Sequence, residues 1–164
     1  METLVLGLGN ELAGDDAVGI LVARAVRGEL DGLADVVESS ASGLALIEVL
    51  AGHEQAVVVD AIVTGRTPPG TIVEMGLREV GRVVAPSAHQ AGLPELAAVA
   101  ARLGLVFPAR TRVLAVEVVD PYTLGAPLSD PVAGAVPELV RRVLRAVRRW
   151  EGERPCTTST PSRT

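Results

Sequence analysis

Residues 3–30, TLVLGLGNELAGDDAVGILVARAVRGEL, decide how the rest of the chain is read. Residues 3–8 are a short apolar run that carries Gly7 and fits a buried strand. From Asp16 the period changes. Val18, Leu21, Val22, Ala25, Val26 and Leu30 recur at three- and four-residue steps, which marks one face of a helix. Between them, Gly7 and Gly9 permit a sharp turn or a close approach of the backbone. Asp15 and Asp16 stand where the helix begins. One acid there caps the helix and complements its dipole; two in succession leave one to point into a crevice.

The pattern repeats outward. Residues 34–39 read as a second strand, and Leu44 to Leu50 as a short helix stopped by Gly52. Residues 56–62, AVVVDAI, form the clearest buried strand. The turn-rich stretch with Gly65, Pro68, Pro69 and Gly70 follows, then a strand over 71–75. Residues 76–90 show no clear period and are expected to form a long loop. Pro94 suits a first helical turn, and that helix is expected to run to about Leu103, with Gly104 as its cap. Residues 111–118 read as a fifth strand. Asp130 and Pro131 open a last helix, in which Pro137 is expected to cause a kink or a delayed start. Strands alternating with helices imply a three-layer α/β domain around a largely parallel sheet. Residues 1–150 are read as this single domain, and 151–164, rich in Ser, Thr, Pro and Arg, as a disordered tail. No apolar run is long enough for a membrane span.

Composition narrows the function. The 164 residues carry a net charge of −5 and only three aromatic side chains, Phe107, Tyr122 and Trp150. Such a chain is poorly equipped to bind a phosphate backbone or to stack on bases. Cys156 is the sole cysteine, so no internal disulfide forms, which suits a cytoplasmic location. A dinucleotide fingerprint fails because Leu12 stands where its third glycine belongs, and the paired acids would repel a pyrophosphate.

In a parallel sheet, ligands bind at the carboxyl ends of the strands, where strand order reverses. Three polar residues are candidates for that place. Asp16 begins the first helix. Asp60 ends the run AVVVD, where a carboxylate among apolar neighbours needs exposure or a partner. His89 lies in PSAHQAG; the other histidine, His53, falls in a polar turn expected to face solvent. Two carboxylates and an imidazole form a donor set suited to nickel, zinc or iron. The residues alone support a metal-dependent hydrolase only in outline, because no local metalloprotease signal such as H-E-x-x-H is present.

The same residues carry a resemblance. LVLGLGNELAGDDAVG, VVVDAI before a Gly/Pro turn, and SAHQAGL, in this order and at similar spacing, resemble the three motifs of the hydrogenase maturation endopeptidases. The likeness runs from about residue 3 to 148. It implies a five-stranded twisted sheet of the phosphorylase/hydrolase-like fold with one antiparallel strand, here TIVEM, which follows Asp60 by a short turn without a helix. It implies that Asp16, Asp60 and His89 are the metal-site and catalytic residues, position 16 being Glu or Asp in the family. It implies a nickel-dependent substrate: the precursor of a nickel–iron hydrogenase large subunit, from which a C-terminal extension is cut. The metal implied is nickel, either that of the substrate or one bridging the two proteins; whether the protein holds a metal of its own is left open. The stretch Glu38-Ser39-Ser40-Ala41-Ser42-Gly43 departs from the Gly-Gly-Thr type common in the family and bears on substrate subtype. Two other readings are weighed. A non-catalytic, nickel-checking chaperone on this fold would bind the precursor without cutting it. A peptidyl-tRNA hydrolase shares GLGN, but needs an early histidine and a basic face that this chain lacks.

Overall fold

The structure, a computed structural model, describes residues 2–80 and 93–153. Five strands form one sheet: β1 (Thr3–Leu8), β2 (Asp35–Ser39), β3 (Gln55–Ile62), β4 (Ile72–Gly76) and β5 (Arg110–Glu117). Their order is β2-β1-β3-β5-β4. The first four neighbours in that order are parallel, and β4 alone runs antiparallel, against β5. The expected mostly parallel, five-stranded α/β fold is therefore the one observed, with the short turn after β3 reversing the chain as its length requires.

Helices α1 (Val18–Val26) and α5 (Asp130–Gly152) cover one face; α2 (Leu46–Leu50) and α4 (Leu93–Arg102) cover the other. A single turn, α3 (Leu77–Val80), falls inside the stretch expected to be loop. Alternation along β3 divides the two cores. Val57, Val59 and Ala61 pack towards α1 and α5, while Ala56, Val58 and Ile62 pack towards α2 and α4. Aliphatic side chains fill both layers, and Trp150 is the one large aromatic among them.

Several expectations need correction. Ala25 is exposed and Leu21 only half-buried; the buried side of α1 is instead Val18, Ile20, Val22, Ala23 and Val26. The periodicity missed Ile20 and Ala23 because α1 lies across two strands and buries more than one stripe. Pro137 does not delay the start of α5, which opens at Asp130 and is continuous through it. Proline costs one helical hydrogen bond, but Pro137 is exposed and flanked by buried Val132, Ala135 and Leu139, whose packing holds the helix. α5 runs to Gly152. His53 is not solvent-facing: its side chain is 16% exposed and its Nε2 lies 3.2 Å from Asp35 Oδ2. No helix among the described residues is long and apolar enough to cross a membrane.

Candidate functional site

The chain leaves β1 for β2 on one side and returns to β3 on the other. The β1–β3 seam is therefore the topological switch point, where such sheets open a crevice at their carboxyl edge. Glycines bring α1 down onto this seam. A Cβ on Gly19 would lie 2.2 Å from the carbonyl oxygen of Leu8 and 2.4 Å from that of Val59. Gly7 is equally crowded, its Cβ falling 2.2 Å from Gly19 O. Gly9 adopts φ 138°, a region open to glycine, and the oxygen of Asp16 would lie 1.8 Å from its Cβ. The sequence G-L-G at the end of β1 thus lets the turn that carries Asp15 and Asp16 fold back over the strand end.

The two acids of that turn have different partners, and neither caps the helix it opens, the role expected of one of them: the N-cap positions are Ala13 and Ala17, without a side-chain cap. Asp15 is buried and turned away from the crevice. Its Oδ1 accepts the backbone N–H of Ser129 at 2.7 Å and its Oδ2 the Ser129 hydroxyl at 2.9 Å. Ser129 is the N-cap of α5, so Asp15 ties that helix to the end of β1. Asp16 is half-exposed, and its Oδ2 accepts the N–H of Asn10 at 2.7 Å.

Asp60 reaches the same edge from β3. Gly7 pairs with Val59, so Asp60 stands one residue further along the seam. It falls between Val58 and Ile62 and so faces the α2/α4 layer. The residue is 0% exposed, and its Oδ1 accepts the N–H of Ala61 at 2.8 Å. The short 3-10 turn Gly14–Ala17, which contains Asp16, packs directly against β3. Asp16 and Asp60 are thereby assembled at adjoining strand ends from positions 44 residues apart in sequence. His89 lies outside the described residues. The chain re-enters at Leu93, the first residue of α4, and α4 feeds β5, which is parallel to β3. An intervening helix of this kind starts at the carboxyl edge, and α4 accordingly packs on the 3-10 turn Gly43–Ala45 that follows β2. Among the described residues, no three His, Cys, Asp or Glu side chains gather closely enough to hold a metal ion.

Glu117, which the sequence reading passed over, is a third buried carboxylate at this edge, 1% exposed. It ends β5 opposite Ile62. Burial alone would raise its pKa; hydrogen bonds from Thr64 and Gly65, with Thr67 beyond, outweigh that and hold it below the usual glutamate value. The Thr64 and Gly65 amides each donate at 2.7 Å, and the Thr64 hydroxyl at 2.5 Å. The same rule that singled out Asp60, a charge closing an apolar strand, applies to AVE at 115–117.

Beside the crevice, a hollow of about 210 Å³ is floored by Gly9 and Asn10 and walled by Glu11, Arg24, Glu38 and Ser39. Arg24 bonds to both Glu11 and Glu38, and Arg27 bonds to Glu38. Partial burial would raise Glu38, but the two guanidiniums bring it below the ordinary range. A larger hollow of about 650 Å³, lined by Leu77, Phe107, Pro108 and Thr111, opens at the opposite, amino-terminal edge.

The fold is that of a doubly wound α/β protein, with Asp16 and Asp60 both at the carboxyl edge of its switch point. The model of the hydrogenase maturation protease family matches residues 21–146, which include Asp60 and His89. The hydrogenase expression/formation protein HupD of Rhizobium leguminosarum is 30% identical over 152 residues, 90% of this chain and 74% of that one. The hydrogenase 2 maturation protease of Escherichia coli is 29% identical over 154 residues, covering 90% and 92% of the two chains. Among solved structures, the hydrogenase maturating endopeptidase HybD of E. coli superposes with a TM-score of 0.77 at 25% identity, over 92% of this chain and 94% of that one. HybD of Thermococcus kodakarensis shares the fold, with a TM-score of 0.70 over 90% and 99% of the chains at 24% identity. The chain belongs to the hydrogenase maturation protease family. Its activity is that of an endopeptidase.

Proposed function

We propose that this protein removes the C-terminal extension of a nickel-loaded hydrogenase large-subunit precursor, and that Asp16, Asp60 and His89 act on the nickel the substrate brings. One observation carries the reading for this chain's own residues. Glycines that admit no side chain bring the turn carrying Asp16 down onto the seam where β3 carries Asp60, while the neighbouring Asp15 is taken up by a structural bond, and this supports the reading. Carboxylate oxygens and imidazole nitrogen suit a borderline ion such as nickel. Asp16 and Asp60, with His89, would hold it; the ion would supply Lewis acidity towards the scissile carbonyl or a water molecule.

The chain's own groups then have separable tasks. Asp60, buried in the sheet and fixed by the Ala61 amide, is a rigid donor. Asp16, at the mouth and half-exposed, is the better placed to take a proton from an attacking water as general base. The partner is thus the precursor itself, recognised only after its metal is in place.

The test is incubation with nickel-loaded and nickel-free precursor, reading the shortened product by mass. Cleavage is expected only with nickel. Asp60→Ala is expected to lose at least about a hundredfold in rate, as when a group essential to charge stabilisation is removed. An unimpaired Asp60→Ala would end its assignment, and stable binding of the precursor without any product would favour the nickel-checking chaperone.

A further inference from the structure

Large apolar side chains exposed one at a time are ordinary on a protein surface; a set gathered at one place is not. Six such residues lie on loops at the carboxyl edge: Leu12 after β1, Leu44 after β2, Val63 after β3, and Val119, Tyr122 and Leu124 after β5. Tyr122, one of three aromatic residues in the chain, is 81% exposed. Leu12, Val119, Tyr122 and Leu124 sit on two loops joined side by side. The amide of Gly125 donates to Leu12 O at 2.8 Å, and a Cβ on Gly14 would touch Thr123 O at 3.4 Å. The second loop is itself stiffened by Asp120, whose Oδ1 accepts the amides of Tyr122 at 2.8 Å and Thr123 at 3.2 Å. Its far end is fastened by Asp15 to Ser129. The four side chains are therefore displayed on a pre-ordered platform, which lowers the entropy lost when something seats there.

We infer that Leu12, Val119, Tyr122 and Leu124 form a docking platform for an apolar surface segment of the precursor's folded body, separate from the peptide that is cut. This rests on the function proposed above. The occupant follows from place. Leu12 precedes Asp16 by four residues in the connection from β1 to α1, so whatever covers the platform borders the crevice. A second copy seated there would obstruct Asp16 and Asp60, whereas the substrate has to approach them. An exposed tyrosine with aliphatic neighbours is also the composition of an interface anchor.

Binding separates this inference from the function on which it rests. Nickel-loaded precursor is titrated against Asp60→Asn protein, in which turnover is blocked, with and without Tyr122→Ser/Leu124→Ser. The double substitution is expected to weaken Kd at least tenfold at unchanged Tm. In the otherwise wild-type chain it is expected to raise KM for the precursor and to leave kcat within about twofold. Leu12→Asp, on the other loop, provides an independent second variant. Equal affinity of these variants and their parent would overturn the platform, even if the wild-type chain cleaves. Absence of product from the wild-type chain would instead strike the proposed function. Sedimentation is the further check: a dimer converted to monomer by the substitutions would overturn the assignment to precursor in favour of a second copy.

Discussion

Asp15 and Asp16 are chemically identical neighbours whose surroundings give them opposite duties. Asp15 accepts two hydrogen bonds from Ser129, is buried, and holds the start of α5. Asp15→Ala strands the Ser129 amide and removes a charged partner; we expect a loss of about 1–3 kcal/mol in unfolding free energy. Asp16→Asn keeps an acceptor for the Asn10 amide, so unfolding by denaturant should shift by less than about 1 kcal/mol. Under the proposed function, the same Asp16→Asn change lowers precursor cleavage at least about a hundredfold. Equal stability losses for the two variants, or a fully active Asp16→Asn, would contradict this division. At this scale the sequence is informative about kind and silent about assignment. It shows two acids in succession at one helix start, but that Asp15 is the one taken up, and by the start of α5 rather than by its own helix, depends on Ser129, more than a hundred residues away.

The elements that meet at the carboxyl edge are held by charge as well as by packing. Glu117 at the end of β5 gathers the turn leaving β3 through Thr64, Gly65 and Thr67. Its folded-state pKa lies below the ordinary value, so its contribution is fully present above the unfolded pKa of about 4.3 and is lost as pH falls through the folded one. The protein's Tm should accordingly fall as the pH is lowered below about 4.3. In Glu117→Gln, which is neutral throughout, lost hydrogen bonding should lower the unfolding free energy at neutral pH by about 1–3 kcal/mol, so the starting Tm is lower and the acid decline shallower. Parallel Tm–pH curves for the two proteins would mean that Glu117 does not carry this term. Element type and order were legible because the apolar runs are short in strands and periodic in helices. Single residues within them were less so. Glu117 was overlooked because VLAVEV reads as a strand whatever its polar member does, and α3 because one turn is too short to show a period.

At the scale of the whole molecule, the spacing of α1 from the sheet is set at one contact, where Gly19 meets the seam of β1 and β3 with no side chain between. Fold class and the carboxyl edge could be reasoned from alternation of strands and helices, and Asp16 and Asp60 from strand-end position. The closeness of the layers could not, since a glycine in a helix reads first as a weakness. Gly19 is the second residue of α1, and replacing a helical glycine with alanine ordinarily stabilises a helix by up to about 1 kcal/mol. Here the sign should reverse. The new Cβ would meet two backbone oxygens, Leu8 O at 2.2 Å and Val59 O at 2.4 Å, and neither can swing aside as a side chain would. Relief requires α1 to lift from the sheet, which opens the core around Val18, Val22 and Val26 and carries the Asp16 turn away from Asp60. Gly19→Ala is therefore expected to cost about 3 kcal/mol or more, as severe overpacking does, lowering Tm by roughly 6–12 °C for a domain of this size. Precursor cleavage should fall further than stability alone explains, at a temperature where the variant is still folded. A Gly19→Ala protein as stable and active as the parent would mean that α1 rides further from the seam than these contacts place it.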